Sequence, residues 1–251
     1  MSDIVTAILI FAGLVAASLG ALFLHRWFPV RYLDDETHSL IRVITSLFVM
    51  MTSLMLGLLI NSAKSTFDAV DHNMHAFATE MIQLDRMLEQ YGPEAKDSRQ
   101  RLLAYVQRIL GRGWPIDDVP IGADRIAEQR LNEVGSSLAA IQPADAQQIA
   151  LLQDARQHFR KVVELRWTLV EQSDRAIPNQ LVAMLVAWLL LIFGSLGYRA
   201  PRNAVVVSTL VLAAALVAGA LYLILDLDSP SAGWIQISSA PLERTLEELK
   251  R

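Results

Sequence analysis

The chain has 251 residues, of which 53% are hydrophobic and 19% are charged, and its formal net charge is −4. A soluble domain usually carries about 25% charged residues, so the composition argues against a soluble protein. The small, mixed charge gives no electrostatic basis for nucleic acid binding, and the absence of cysteine excludes disulfides and cysteine-ligated zinc. Four segments without Asp, Glu, Lys or Arg instead predict an integral membrane protein: residues 4–24, 43–60, 180–198 and 204–225.

The first two predicted spans lie within residues 1–60. Residues 4–24 form an apolar run of 21 residues, which is enough to cross about 30 Å of hydrocarbon as a helix. The three residues before this run carry no positive charge, so a span is favoured over a cleaved signal peptide, although the small residues at 17–21 resemble a cleavage site. The third and fourth spans, within residues 180–225, are separated by a short turn and are predicted to form a hairpin.

Arginines in the short loops predict an orientation. They are Arg26, Arg31 and Arg42 between the first two spans, and Arg199 and Arg202 between the last two. Because positively charged loops usually stay in the cytoplasm, this rule places both loops inside. The N-terminus, the segment between spans two and three, and the C-terminus would then lie outside.

Residues 61–179 are predicted to form a mostly helical domain outside the membrane. After the second span, apolar residues recur at alternating spacings of three and four, which is a heptad pattern: Phe67, Val70, Met74, Phe77, Met81, Leu84, Leu88 and Tyr91. No proline or glycine interrupts residues 58–91, so the second span is predicted to continue as one helix to Tyr91. Breaks at Gly and Pro separate further helices over 94–110, 125–140 and 144–176, with a loop over 111–122.

The apolar stripes of this domain are interpreted as a bundle core or a subunit contact, since any packed helix needs such a stripe. The tail, residues 226–251, is predicted to end in a short amphipathic helix marked by Leu242, Leu246 and Leu249. The predicted architecture is therefore an all-α, multi-pass membrane protein with an inserted helical domain.

Small and polar residues share one face of the second span. At 100° per residue they fall within an arc of about 100°, which Met50 interrupts: Arg42, Ser46, Ser53, Gly57, Asn61, Lys64 and Asp68. A pore-lining helix would present such a face, with Lys64 and Asp68 at one mouth and Arg42 at the other. Close packing of helices also uses small residues, because they let backbones approach. Both interpretations stay open from spacing alone.

Two groups of residues have side chains that could ligate a metal. Asp68, His72 and His75 lie at positions i, i+4 and i+7 of one helix, although solvated polar residues are also expected there. Asp226 and Asp228 follow the fourth span and could ligate calcium, but a helix stop before Pro230 is the favoured interpretation because the full calcium-loop spacing is absent. Catalytic fingerprints such as a nucleophile elbow, a phosphate loop or HExxH do not occur, so no enzyme is predicted.

A set of distinctive segments runs in order across nearly the whole chain: residues 57–68 (GLLINSAKSTFD), 84–88 (LDRML), 91–95 (YGPEA), 225–230 (LDLDSP) with Gly233, and 237–242 (ISSAPL). Together these segments resemble the bestrophin-like family of bacterial membrane proteins of unknown function. Bestrophins are oligomeric anion channels, pentameric in known forms, whose second span lines the pore and whose helical domain extends it. The resemblance implies this layout here, with both termini and the helical domain in the cytoplasm, which is opposite to the arginine rule. The dense acidic calcium clasp of the animal channels does not occur in this sequence.

Three functional hypotheses follow. The first is a homo-oligomeric ion channel of the inner cell membrane, selective for small inorganic anions by resemblance, with the second span lining its pore. The second is a non-conducting, membrane-anchored structural or signalling module whose helical domain recruits a partner. The third is a divalent-metal sensor that uses the Asp226–Asp228 segment or the histidines of the long helix.

Overall fold

In the computed structural model, the described residues are 2–24, 35–111, 124–172, 177–198, 200–201, 203–228 and 234–251. Within them every regular element is helical, which confirms the predicted all-α class. The α-helices are α1 (Ser2–Leu24), α2 (Asp35–Tyr91), α3 (Lys96–Gly111), α4 (Arg125–Ala140), α5 (Ala146–Glu171), α6 (Asn179–Tyr198), α7 (Ala204–Leu227) and α8 (Ala240–Leu249). A 3-10 turn over Pro93–Ala95 connects α2 to α3.

Four of the described helices are long and apolar enough to cross a membrane. They are α1, α2, α6 and α7, and their positions confirm the four predicted spans. Helix α2 has 57 residues and is about 86 Å long at 1.5 Å per residue. The prediction that the second span continues to Tyr91 without a break is therefore confirmed.

The remaining helical predictions agree with the structure within a few residues. The predicted helix over 94–110 begins with the 3-10 turn, because Pro93 can start a helical turn but cannot donate a backbone hydrogen bond. The helix predicted over 144–176 begins after Asp145, whose side chain accepts a hydrogen bond from the Gln148 N–H, and it ends at Glu171. Most of the loop predicted over 111–122, and residues 173–176, lie outside the described residues.

The chain divides into two compact units. The first unit contains Met1–Lys64 and Ala176–Asp228, and the second contains Ser65–Arg175 and Ser229–Arg251. Residues 226–228, which the sequence analysis placed with the tail, therefore group with the spans, while α8 groups with the helical domain.

The first unit is held together by close contacts of α1 with α6 and α7. Its buried core includes Leu14 of α1, Leu185 of α6 and Ala214 of α7. Helices α1 and α6 approach closely at Gly197, where an added Cβ would overlap the backbone oxygen of Ser18 on α1. Because only glycine leaves room for this approach, small residues set the distance between the two helices.

The second unit has its own hydrophobic core, to which the heptad residues of α2 contribute. Seven of the eight are buried there, and Phe67 is partly buried against the same core. Helix α3 packs against α4 and α8, and the buried Thr245 of α8 donates a hydrogen bond to the backbone oxygen of Pro241 in its own helix. Of the two interpretations of the heptad pattern, the structure therefore shows a bundle core within this unit.

Candidate functional site

The small and polar face of α2 is exposed along its whole length in the single chain. Every member from Arg42 to Asp68 is exposed, and a Cβ added at Gly57 would meet nothing within 4 Å. The hydroxyls of Ser46 and Ser53 donate to the backbone oxygens of Arg42 and Val49 in their own helix, at 2.8 and 2.9 Å. Among the described residues of the chain, none uses this face for close helix packing.

Helix α2 packs against the rest of the first unit with a different face. Its buried residues in this part are Thr52, Leu59 and Ala63, which lie roughly 130° around the helix from the centre of the polar face. On the same side, the Thr45 hydroxyl donates to the Ser195 hydroxyl of α6 at 3.2 Å. The chain's own bundle therefore holds α2 from one side and leaves the polar face open.

Apolar residues interrupt and border the polar face. Met50 is 73% exposed within it, and Ile60, which the sequence analysis did not count as an interruption, lies at its edge and is 48% exposed. A strip of exposed apolar side chains runs along the adjacent side of the helix: Val43, Leu47, Leu54 and Leu58. Such a strip suits contact with lipid or with another apolar helix, so the polar face has an apolar border on its open side.

Charged residues mark the two ends of this face. Arg42 and Lys64 are separated by 22 helical steps, or about 33 Å, which is close to the thickness of the hydrocarbon core of a bilayer. Asp68 follows one turn after Lys64 and belongs to the second unit, whereas the other candidates belong to the first. The uncharged stretch between Arg42 and Lys64, residues 43–63, therefore has about the length of a membrane crossing.

The proposed metal ligands have other surroundings. Asp228 is 1% exposed, and its Oδ2 atom accepts a hydrogen bond from the backbone N–H of Ile177 at 3.2 Å. This bond joins the end of α7 to the residues just before α6 and gives the Asp228 carboxylate a structural role. Asp226 is also buried, whereas His72 and His75 are exposed. Across the described residues, no group of three or more His, Asp or Glu side chains is arranged to hold a metal ion.

The second unit contains ion pairs that the sequence analysis did not identify. The buried carboxylate of Asp85 on α2 binds Arg99 of α3 through two bonds of 2.7 and 2.9 Å. This hydrogen bond raises the pKa of Arg99 further above its usual value. On the α5 side, the Glu80 carboxylate lies 2.6 Å from Nδ1 of His158 and 3.3 Å from Nζ of Lys161. These pairs connect α2 to α3 and to α5.

A third polar cluster lies where α4 begins. The Asp124 carboxylate accepts bonds from the backbone N–H groups of Ile126 and Ala127, at 3.0 and 3.3 Å, and from Nε of Arg108 at 3.2 Å. Burial of Asp124 opposes its ionisation, but these three donors outweigh burial and lower the pKa of Asp124. Asp124 is thus a helix cap that stays ionised and ties α3 to α4.

Comparison with known proteins gives consistent results. A family profile described as Bestrophin-like domain matches residues 11–242. Crystal structures of two mutants of a bacterial bestrophin homologue from Klebsiella pneumoniae are similar, with TM-scores of 0.67 and 0.69, sequence identities of 12% and 13%, and coverage of 98% and 97% of both chains. A further crystal structure, described only as a membrane protein, has a TM-score of 0.69 at 12% identity and 97% coverage of both chains. No curated protein matches the sequence significantly. At these identities, the structural likeness shows the fold alone.

Proposed function

The chain belongs to the Bestrophin-like family, and from this we propose that it forms a homo-oligomeric anion channel in which α2 lines the pore. The observation that carries the proposal is the open polar face of α2. It extends over about 33 Å, is mostly small or polar although Met50 interrupts it, has a cation at each end, and is not used for packing by the described part of its own chain. Of the neighbours open to such a face inside a membrane, which are lipid, a second copy and an aqueous path, family membership favours the last two.

The residues of this face have properties that an anion path needs. Gly57 and the two serines take up little volume, so copies arranged around an axis would leave space between them. The Asn61 amide can donate hydrogen bonds to a passing anion, and the Lys64 ammonium attracts anions to one mouth. In an oligomer each copy adds one Lys64 charge at the same level, which raises the local anion concentration.

Conductance measurements test this proposal directly. The purified protein, reconstituted in planar bilayers with a chloride gradient, is expected to carry current with a reversal potential near that of chloride. Lys64→Glu should shift this potential toward the cation value, because it replaces the charge at one mouth. Lys250→Glu, which makes the same charge change on an exposed residue of the second unit, is the matched control and should leave the potential unchanged.

Two results would contradict the channel. One is repeated absence of current from oligomers that are well folded by circular dichroism. The other is co-purification of a stoichiometric protein partner together with absent conductance, which is the behaviour of a membrane-anchored module that recruits a partner. If Lys250→Glu shifted the reversal potential as much as Lys64→Glu, the selectivity would not depend on the α2 face.

We further propose that the protein resides in the inner cell membrane with its second unit in the cytoplasm. Family membership supports this side, whereas the loop arginines favour the opposite one. Glu94 is exposed and the chain has no cysteine, so Glu94→Cys provides a single labelling site. A membrane-impermeant maleimide should label this variant in inverted vesicles and not in intact cells. Labelling in intact cells would place the second unit outside.

A further inference from the structure

The second unit contains a buried cation within its hydrophobic core. Arg166 lies on the core-facing side of α5, between the buried residues Val162 and Leu169, and only 3% of its surface is exposed. A guanidinium stays protonated at all ordinary pH values, so this side chain carries a full positive charge. Because a buried charge without a counter-ion is strongly unfavourable, a negative charge is expected close to Arg166.

Two aromatic side chains lie next to the Arg166 guanidinium. Tyr105 on α3 is buried, and burial raises the pKa of its hydroxyl, so this hydroxyl stays neutral. The Trp167 ring centroid is 5.5 Å from Cζ of Arg166, a distance at which a cation–π contact contributes. Among the described residues, no acceptor forms a hydrogen bond with Nη2 of Arg166, which is buried.

Among the described residues, the Asp124 carboxylate acts on Tyr105 through its charge but does not bind Arg166. Its hydrogen bonds within the described residues come from Arg108 and from two backbone N–H groups at the start of α4. In the described part of the chain, no carboxylate therefore pairs with Arg166, and its buried Nη2 has no acceptor.

We propose that a small inorganic anion such as chloride binds inside the second unit at Nη2 of Arg166, with the Tyr105 hydroxyl as a second donor. Both groups present N–H or O–H donors, and a single negative charge balances the charge of Arg166. The surrounding side chains of Val162 and Leu169 are apolar, which favours a small ion over an organic acid. This site is separate from the face of α2, and its occupancy does not depend on conduction.

Thermal unfolding of the full-length protein in detergent tests the site. At constant ionic strength, sodium chloride replaces sodium gluconate, whose anion is too bulky for a buried site. The melting temperature of the wild-type protein is expected to rise by about 3–6 °C when chloride reaches ten times its dissociation constant, and to keep rising with the logarithm of the chloride concentration. Arg166→Gln should abolish this rise. Arg160→Gln, which removes an exposed arginine from the same helix, is the matched control and should keep it.

A second variant tests the site if Arg166→Gln does not fold. Tyr105→Phe keeps the guanidinium and removes one donor, so the chloride dissociation constant obtained from the melting temperatures is expected to increase about tenfold. An unchanged chloride dependence in Tyr105→Phe or in Arg166→Gln would overturn the proposal. The absence of a chloride-specific rise in the wild-type protein would also overturn it, because the chain itself would then neutralise Arg166. None of these readouts requires a channel, so they separate this proposal from the proposed function.

Discussion

Replacement of Gly197 by alanine tests whether the crossing of α1 and α6 determines the stability of the first unit. The added methyl group would overlap the backbone oxygen of Ser18 and lie 2.7 Å from its carbonyl carbon and 2.9 Å from its Cα. Ordinary contacts between carbon atoms are about 3.5–4.0 Å, so the two helices must separate by about 1 Å. The contacting atoms belong to the backbone of α1, and a rotamer change cannot relieve the overlap.

The expected cost follows from the packing around this crossing. Overfilling a packed interior typically costs about 1–3 kcal/mol, and a separation of whole helices also loosens the neighbouring contacts of Leu14 and Phe193. The higher helix propensity of alanine returns up to about 1 kcal/mol. We therefore expect Gly197→Ala to destabilise the protein by about 1–3 kcal/mol, measured by thermal or denaturant unfolding in detergent.

Gly194 provides a matched control for this substitution. It lies on the same helix three residues earlier, and a Cβ added there would meet nothing within 4 Å. Gly194→Ala should therefore be neutral or slightly stabilising. Equal stabilities of Gly197→Ala and Gly194→Ala would refute the argument that a close backbone approach, rather than lipid or detergent packing, holds α1 against α6.

Three further substitutions test polar contacts. Asp85→Asn should destabilise the second unit by about 2 kcal/mol in the same unfolding assay, because it removes the buried carboxylate that pairs with Arg99 and leaves only the exposed Glu89 as a charged partner. Asp124→Asn should make the stability of the protein less sensitive to acid, because the lowered pKa of Asp124 means that its ionised form stabilises the fold. This stabilisation is fully present above the ordinary pKa of about 4 and is lost as the pH falls through the lowered pKa. Asp228→Ala should lower the melting temperature in the presence of a chelator, because the Ile177 N–H loses its acceptor.

Each of these substitutions has its own control. Arg101→Gln removes an exposed i,i+4 ion pair with Asp97 and should cost no more than about 0.5 kcal/mol, so an equal effect of Asp85→Asn would contradict the role of burial. The profile of Asp124→Asn should approach that of the wild type once the pH has fallen below the lowered pKa of Asp124, and a constant difference at all pH values would contradict the acid argument. A heat of calcium binding in calorimetry that disappears in Asp226→Ala would support the calcium hypothesis, and its absence would exclude it.

Local patterns explain what the sequence analysis predicted well. The four spans follow from uninterrupted apolar runs, and the continuous α2 follows from a heptad pattern without proline. These features depend on residues close in the chain, so they are visible without the fold. The polar face of α2 was also visible, because helical periodicity fixes which residues share a face. Its role as a pore lining stays a prediction.

Contacts between distant residues explain what the sequence analysis missed. The Asp85–Arg99 pair joins residues 14 positions apart on two helices, and the bond from Ile177 to Asp228 joins residues 51 positions apart. Neither separation has a periodic signature. For Arg166 a signal did exist, because it occupies the apolar face of α5 at i+4 from Val162 and i−3 from Leu169. A charged residue at a core position of an amphipathic helix indicates a buried charge that needs a partner.

The inward direction of the serine hydroxyls on α2 has a consequence for transport. The hydroxyls of Ser46 and Ser53 donate hydrogen bonds to the backbone of their own helix. Their oxygen lone pairs, rather than O–H donors, therefore point toward any ion beside the face. An anion in the middle of the face would then be held weakly, while the cations about 33 Å apart at Arg42 and Lys64 attract it at the ends. In the proposed pore, fast conduction needs both properties, because the charged ends attract the ion and the weakly binding middle releases it.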